Sequence, residues 1–285
     1  MISNRHHIRL LGVLVALLAF FSSLELQARQ TLDLSGHLKA FSVTSFPYES
    51  PLLPQENTHA GSIDSRLKIL WRPKGNMRVE LHPTLTAFEK ASFGSGLQSG
   101  VGQDRDEAIP LSFDLVDNSD TLIRARFDRA NLRWDLKKLR LTLGRQAVTF
   151  GKGQLFTPLD LIAPFTPTTL DTSYKPGVDA VRADIFRGVS GKLTFVAAYL
   201  DDWSLDGTAF MAQGQGNLDD WELEAFVGSV HSDLVLGASL FFEAGEVGYY
   251  GDLNLTLAED ENFIRVVGGA LYMPNPKTTL TTEIY

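Results

Sequence analysis

The sequence predicts an all-β fold of antiparallel strands that closes into a barrel, and two observations carry this prediction. Apolar residues recur with a period of two, the spacing of side chains on one face of a strand, and no segment keeps the 3.6-residue spacing of an amphipathic helix. The connections between the predicted strands alternate between long and short in the first half of the chain. An antiparallel barrel that sorts its turns and loops to opposite ends has this alternation.

The clearest period-two pattern lies in residues 61–89. Ile63, Leu67 and Trp71 fall near one face with charged residues opposite, and the tight-turn sequence Pro-Lys-Gly-Asn at 73–76 leads into a second alternating segment. Many predicted strands reach the ~9–11 residues that a tilted strand needs to cross a bilayer. Continued along the chain, the pattern predicts about thirteen strands, at roughly 31–43, 61–73, 75–89, 121–136, 138–150, 178–187, 191–201, 207–214, 218–228, 233–243, 246–257, 263–273 and 278–285.

The composition is compatible with strands that cross a membrane and excludes several other classes. Of the 285 residues 44% are hydrophobic, and the mean hydropathy is −0.03. A multi-helix membrane protein is excluded because it needs runs of about 20 apolar residues, whereas alternating barrel strands average out to ordinary values. The absence of cysteine excludes disulfides and thiolate metal sites. The net charge of −8 argues against nucleic-acid binding.

Residues 1–28 are predicted to be a secretory signal peptide, cleaved after Ala28. Arg5 and Arg9 precede an uninterrupted apolar run at 10–21, and small residues follow it. The alternative is an uncleaved membrane anchor, although the run is shorter than the ~17–20 residues needed to span a bilayer. Removal of this segment makes the charge one unit more negative and leaves residues 29–285 as one barrel.

The end of the chain raises the question of strand number. Both termini of an outer-membrane barrel normally lie in the periplasm, so its strands are even in number. The thirteenth predicted strand runs outward and ends at Tyr285, and Glu283 interrupts the apolar pattern expected of a final strand. We therefore expect a C-terminally truncated part of a larger even-stranded barrel. A miscount near the weak strand 207–214 is the alternative. A secreted all-β domain with its apolar face inward is the alternative to a transmembrane barrel.

The stretch 121–186 carries the candidate functional residues. Alternation assigns charged side chains to the inner face of three consecutive strands, and a one-residue phase slip implies a bulge near residues 128–129. Strict alternation would turn Arg145 outward, and Gly144 is the residue that would accommodate a bulge and re-aim it inward. The predicted pore-lining residues are Arg124, Arg126, Asp128, Arg133, Arg140, Arg145, Arg182 and Asp184.

Two interpretations of these arginines remain open. They form an anion-attracting constriction, or they pair with aspartates and stabilise neighbouring strands. Lipid-facing arginines near the midplane would cost about 2–4 kcal/mol each, so a spanning barrel must turn them inward. Arg124, Arg126 and Arg182 are expected to lie at similar depth. The proline-rich loop 151–177 carries apolar residues that need burial, and we expect it to fold into the barrel mouth; capping the outer rim is the alternative.

Five short motifs lie within residues 121–186: RARFDRANL at 124–132, GRQ at 144–146, FGKG at 150–153, PLD at 158–160 and YKPGVDA at 174–180. In these motifs the stretch resembles bacterial porin-like outer-membrane families, nearest to alginate-export-type channels. The resemblance implies a pore lined by arginines, with Arg124, Arg126, Arg145 and Arg182 as pore residues, and a protein with more strands than this chain shows. It carries little information on the solute.

The sequence therefore predicts a porin-like channel in the outer membrane of a Gram-negative bacterium, for passive passage or export of polar solutes. Anionic solutes are the expected substrates of such a channel, because a guanidinium binds a carboxylate with two hydrogen bonds. The alternatives are a non-conducting barrel for adhesion or surface assembly and a secreted soluble binding domain. Expected partners are outer-membrane lipid and lipopolysaccharide and a small solute, with no nucleic acid.

No enzymatic activity is expected from the sequence. His82 and His231 have no nucleophile signature nearby, so no catalytic residue is predicted. No cofactor is expected either. Acidic turns such as 259–261 lack the ligand spacing of a dedicated calcium site, so no metal site is predicted.

Overall fold

The computed structural model describes residues 31–45, 58–89, 106–165 and 173–285. These residues form fourteen strands in one antiparallel sheet, which confirms the predicted all-β barrel-type fold. All thirteen predicted strands are present, with one short additional strand. The predicted signal peptide lies outside the described residues. Among the described residues, no helix is long and apolar enough to cross a membrane.

The strands follow one another through the sheet almost entirely in chain order. The order is β1-β2-β3-β5-β6 and then consecutively to β14, while β4 pairs with β5 alone. Such an up-and-down order places consecutive connections at opposite ends of the sheet. The strands are β1 (Thr31–Ser45), β2 (Thr58–Lys74), β3 (Met77–Glu89), β4 (Ser112–Asp117), β5 (Thr121–Asp135), β6 (Leu139–Gln146), β7 (Val178–Arg187), β8 (Gly191–Tyr199), β9 (Thr208–Leu218), β10 (Trp221–Val230), β11 (Asp233–Ala244), β12 (Val247–Leu257), β13 (Asn262–Asn275) and β14 (Thr278–Ile284).

The sheet has an apolar outer face and a largely polar inner face. Because side chains alternate along a strand, each strand contributes to both faces. An inward apolar face, as in a secreted soluble domain, is contradicted by this arrangement, and an exposed apolar surface of this extent marks contact with lipid or protein. Exposed outward residues include Leu38, Val181, Phe195, Val227 and Leu253, and buried inward residues include Asp64, Thr86, Asp184, Thr194 and Asn254.

Aromatic rings cluster on the outer face beside the tight turns. Phe242 stacks between Trp221 and Tyr249, with centroid separations of 4.2 and 5.2 Å. Tryptophan and tyrosine favour the interface between hydrocarbon and water, where the ring is apolar and its polar atom stays wet. This cluster has the position expected of one of the interfacial girdles.

The predicted bulge in β5 is present. His82 of β3 pairs with Arg129 and Pro83 pairs with Phe127, so Asp128 is the extra residue without a partner in the ladder. Proline cannot donate a ladder hydrogen bond and is therefore tolerated beside a bulge. The bulge turns both Asp128 and Arg129 into the interior, where both are buried.

Strand β6 is shorter than the predicted strand 138–150 because the chain turns inward early. Gly144 has a φ of +105°, in the left-handed region that glycine adopts without a steric penalty, and the strand ends at Gln146. Val148 and Phe150 then leave the sheet and are buried inside it. The early end of β6 frees the edge of β5 beyond Ala130, and there the unpredicted β4 pairs with β5.

Candidate functional site

The chain between β6 and β7, residues 147–177, is here called the luminal segment, and its described parts, 147–165 and 173–177, lie inside the sheet. The described parts contact inner faces on two sides of the sheet, which confirms that this loop folds inward. Burial of its apolar side chains explains why it does so. The shared apolar cluster contains Val148, Phe150, Leu159, Ile162 and Ala163 of the segment with Val178, Ala180, Val196, Ala198, Ala209, Met211, Phe226, Val230 and Val235 of the strands.

Asp252 of β12 holds the start of the luminal segment. Its carboxylate accepts hydrogen bonds from the backbone N–H groups of Lys152 at 2.9 Å and Gly153 at 2.8 Å, and from the Ser239 hydroxyl at 2.6 Å. Gly151 has a φ of +86°, and a Cβ there would lie 2.6 Å from an Asp252 oxygen. Glycine is therefore required for the backbone to approach this carboxylate.

Glu283 of β14 holds the next three residues of the segment. Its carboxylate accepts hydrogen bonds from the backbone N–H groups of Gln154, Leu155 and Phe156 at 2.6, 3.0 and 2.9 Å. The Tyr250 hydroxyl donates to the same carboxylate at 2.5 Å. The expectation that Glu283 interrupts the strand pattern is wrong, because this residue faces inward, where a polar side chain is required.

Lys152 binds two further acidic residues. Its ammonium lies 2.6 Å from Glu222 and 3.0 Å from Glu224, both on β10. Burial lowers the pKa of Lys152, but the hydrogen bonds and charges of the two glutamates outweigh burial and hold that pKa above its usual range. Lys152 is therefore an ammonium at neutral pH. We call Glu222, Glu224, Asp252 and Glu283 the acidic wall; sequence reasoning did not single out this wall.

The other end of the luminal segment binds the opposite side of the sheet. The backbone N–H of Gly177 donates to Asp128 at 3.2 Å, and the carbonyl of Lys175 accepts a hydrogen bond from Arg129. The Lys175 ammonium pairs with Asp160 of the same segment. The described parts of the segment thus connect the acidic wall to the arginine-bearing strand β5.

Arg124, Arg126 and Asp128 of β5 all form ion pairs, and the pair between Arg126 and Asp128 is buried. Arg126 and Asp128 are both buried, with 3.8 Å between charged groups, and Asp128 also binds Arg129 at 2.9 Å. Arg124 holds Asp114 of β4 at 2.6 Å. A buried arginine must pair in this way, because removing a lone charge from water costs several kcal/mol.

Arg145 lies on the inner side, where the turn at Gly144 directs it. It is 2% exposed, and it binds Asp179 at 2.9 Å and Glu107 at 2.7 Å. Its guanidinium also donates to the carbonyls of two other residues. A Cβ on Gly177 would lie 2.8 Å from Arg145 Cγ, which places this side chain directly under the luminal segment. Arg145 therefore joins the end of β6 to the start of β7 through its ion pair with Asp179.

The remaining predicted residues line a second, more accessible region. Arg133 and Arg140 both pair with Asp135, at 2.9 and 2.6 Å, and Arg182 pairs with Asp184 at 3.0 Å. Arg133, Arg140, Arg182 and Asp184 line a cavity of about 370 Å³, here called the arginine cavity. It is lined by Arg78, Glu80, Arg129, Asn131, Arg133, Arg140, Thr142, Gln146, Ala147, Arg182 and Asp184.

The expectation that Arg124, Arg126 and Arg182 share one depth is wrong. Arg182 pairs with Thr142, which pairs with Arg133, so Arg182 is in register with Arg133. Arg126 and Arg133 pair with Thr84 and Arg78 of β3, which are six positions apart, or about 20 Å along the strand at ~3.3 Å per residue. The pairing of β6 with both neighbours sets this register, which side-chain alternation alone does not reveal.

Gly177→Ala is expected to destabilise the attachment of the luminal segment to β5. A Cβ at this position would lie 2.1 Å from the Asp128 carbonyl oxygen, a backbone atom that cannot move aside cheaply. We expect a loss of about 1–3 kcal/mol in the free energy of unfolding, as for other overpacked sites. Urea unfolding of the folded protein would measure it. Gly75→Ala is the control, because its Cβ would meet nothing within 4 Å; equal losses in both variants would contradict the prediction.

No family model matches the chain, and no curated protein matches it. Twenty chains of solved structures match it in fold. A loop L8 deletion mutant of OmpT, an outer membrane protein of Vibrio cholerae, is 9% identical, with a TM-score of 0.49, covering 89% of this chain and 80% of that one. OccAB4 of Acinetobacter baumannii is 10% identical, with a TM-score of 0.49, over 86% of this chain and 64% of that one. A triple mutant of Rhodopseudomonas blastica porin is 8% identical, with a TM-score of 0.41, over 89% and 93%.

Proposed function

We propose that this chain is a porin-like channel of a Gram-negative outer membrane, exported with residues 1–28 as its signal peptide. The observation that carries the proposal is the division of the sheet into an exposed apolar outer face and an inner face of ion-paired charged residues. Charge on a lipid-facing surface is costly, whereas a water-filled lumen solvates it. No catalytic role is proposed for the described histidines.

The proposed solutes are polar, and the arginine cavity favours anionic ones. Arg133 and Arg140 share the single carboxylate of Asp135. Five arginines line the cavity, against two acidic residues, Glu80 and Asp184. This side of the interior therefore carries more guanidinium than carboxylate groups and offers bidentate hydrogen bonds to an anion.

A non-conducting barrel for adhesion or surface assembly is the second candidate. The observation that favours it is the extent to which the luminal segment is bonded and packed inside the sheet. Backbone N–H groups of five consecutive residues, 152–156, are held by two carboxylates. A segment held this firmly would fill part of the lumen in every molecule, so ion flux decides between the two candidates.

Conductance in planar bilayers tests the proposal, with cell fractionation to test location. We expect the protein in the outer-membrane fraction without residues 1–28, and discrete conductance steps when it is reconstituted. Water and ions must share any lumen wide enough for polar solutes. Ion flux no greater than that of protein-free bilayers would contradict a channel, and a soluble periplasmic product would contradict the membrane location.

A further inference from the structure

Tyr174 of the luminal segment lies against cationic side chains of β1 and β2. Its ring centroid is 4.3 Å from the Lys68 ammonium, 4.4 Å from the Arg66 guanidinium and 5.4 Å from the Lys39 ammonium. The ring also stacks on His37, with a centroid separation of 5.0 Å and an interplanar angle of 16°. The Lys68 ammonium donates to the Tyr174 hydroxyl. We call His37, Lys39, Arg66 and Lys68 the cation nest.

This arrangement is distinct within the described residues. Two other rings of the described residues, Phe186 and Phe263, each have one arginine over them. Tyr174 has three cations within 5.4 Å of its ring centroid, and the attraction of the ring quadrupole offsets part of their mutual repulsion. The tyrosine ring therefore serves as the common partner of these cations.

Two members of the nest, Arg66 and Lys68, are not neutralised by the carboxylates of the described neighbourhood. Asp128 pairs with Arg66 and is shared with two further arginines of β5. Asp64 lies 3.6 Å from His37. The hydrogen bond of Lys68 goes to an uncharged phenol. The nest is consequently a place where an anion would gain charge-assisted hydrogen bonds, which are about twice as strong as neutral ones.

We propose that the cation nest is a binding site for a small aromatic carboxylate, and that Tyr174 is a built-in occupant which such a solute displaces. The ring of the solute would stack on His37 as the phenol does, and its carboxylate would lie where the Tyr174 hydroxyl meets Lys68. The proposal deepens the channel function above and rests on it for the route by which the solute arrives.

The geometry requires both the ring and the charge in the ligand. A carboxylate without a ring loses the stacking contact with His37 and leaves the ring position empty. A phenol without a carboxylate offers no more than Tyr174 already does. Because Tyr174 is tethered to the protein, it competes at a high effective concentration, so the site is expected to bind weakly until the tyrosine is removed.

Calorimetric titration of the full chain, refolded in detergent, with 4-hydroxybenzoate tests the proposal. We expect Tyr174→Ala to bind at least about tenfold more tightly than the parent, because the competing ring is gone. Adding Lys68→Met to that variant is expected to abolish the gain. Phe156→Ala is the matched control, since it removes a ring that stacks on Tyr285 at 5.1 Å at the other end of the segment; its affinity should equal that of the parent.

The outcomes separate this site from the channel itself. The site is overturned if Tyr174→Ala binds no better than Phe156→Ala, or if acetate binds as tightly as 4-hydroxybenzoate. Tyr174→Phe, which keeps the ring and removes only the Lys68 bond, supplies the decisive comparison if the alanine variant does not fold; it should bind more tightly than the parent. Binding without conductance supports the site and contradicts the channel, whereas conductance without binding does the reverse.

Discussion

Replacing Asp252 and Glu283 together with alanine is expected to release the start of the luminal segment from the acidic wall. Between them the two carboxylates accept hydrogen bonds from five backbone N–H groups at 152–156. A hydrogen bond to a charged group contributes about 1.5–3 kcal/mol, and neighbouring bonds are not additive. We expect the free energy of local opening to fall by about 3 kcal/mol, equivalent to about a hundredfold in hydrogen-exchange rate at these amides.

Hydrogen exchange of residues 152–156 measures the release, and single-channel recording measures its effect on the lumen. If the segment narrows a channel, the double variant should conduct more and fluctuate more between levels, since a freed loop samples several positions. Glu243→Ala is the control, because Glu243 is exposed at the end of β11 and bonds to nothing in the luminal segment. Unchanged exchange at 152–156 would show that the apolar packing of Leu159 and Ile162 alone holds the segment.

The strands could be predicted from the sequence because a single rule governs them. Alternation located all thirteen long strands and the bulge at Asp128, since an apolar outer face and a polar inner face constrain every residue of a strand. Strand β4 was missed because its six residues, within the predicted loop 90–120, are shorter than a membrane-crossing strand. It forms only because β6 ends early and leaves the edge of β5 open.

The contacts across the interior could not be predicted in the same way. Glu222, Asp252 and Glu283 lie on three separate strands, and each by itself is an ordinary inward polar residue. Their common role appears only when Lys152 and the following amides reach them from across the lumen, about 70 to 130 positions away in sequence. Periodicity assigns a face to a residue, but it carries no information on what meets that face.

Periodicity likewise does not show which of the inward arginines are suitable for a selectivity test, because it does not show which are buried. Arg126 is buried beside Asp128 and close to Arg145, so a glutamate there would place like charges together away from water and disturb folding. Arg133 and Arg182 lie in register at the arginine cavity, where both side chains keep contact with solvent. These two residues can be changed with less cost to the fold.

Arg133→Glu with Arg182→Glu is therefore expected to shift the reversal potential in a salt gradient toward cation preference. The change alters the charge of the cavity by four units, and each unit contributes about 0.4 kcal/mol at about 10 Å in water. Screening at 0.1 M salt leaves roughly a third of the total, which corresponds to about a threefold change in the permeability ratio, and at 1 M the effect should nearly vanish. Arg187→Glu with Lys277→Glu is the control, because it changes the total charge equally at exposed positions outside the cavity. A parent that prefers cations, with a preference that the cavity variant leaves unaltered, would show that these arginines only stabilise neighbouring strands.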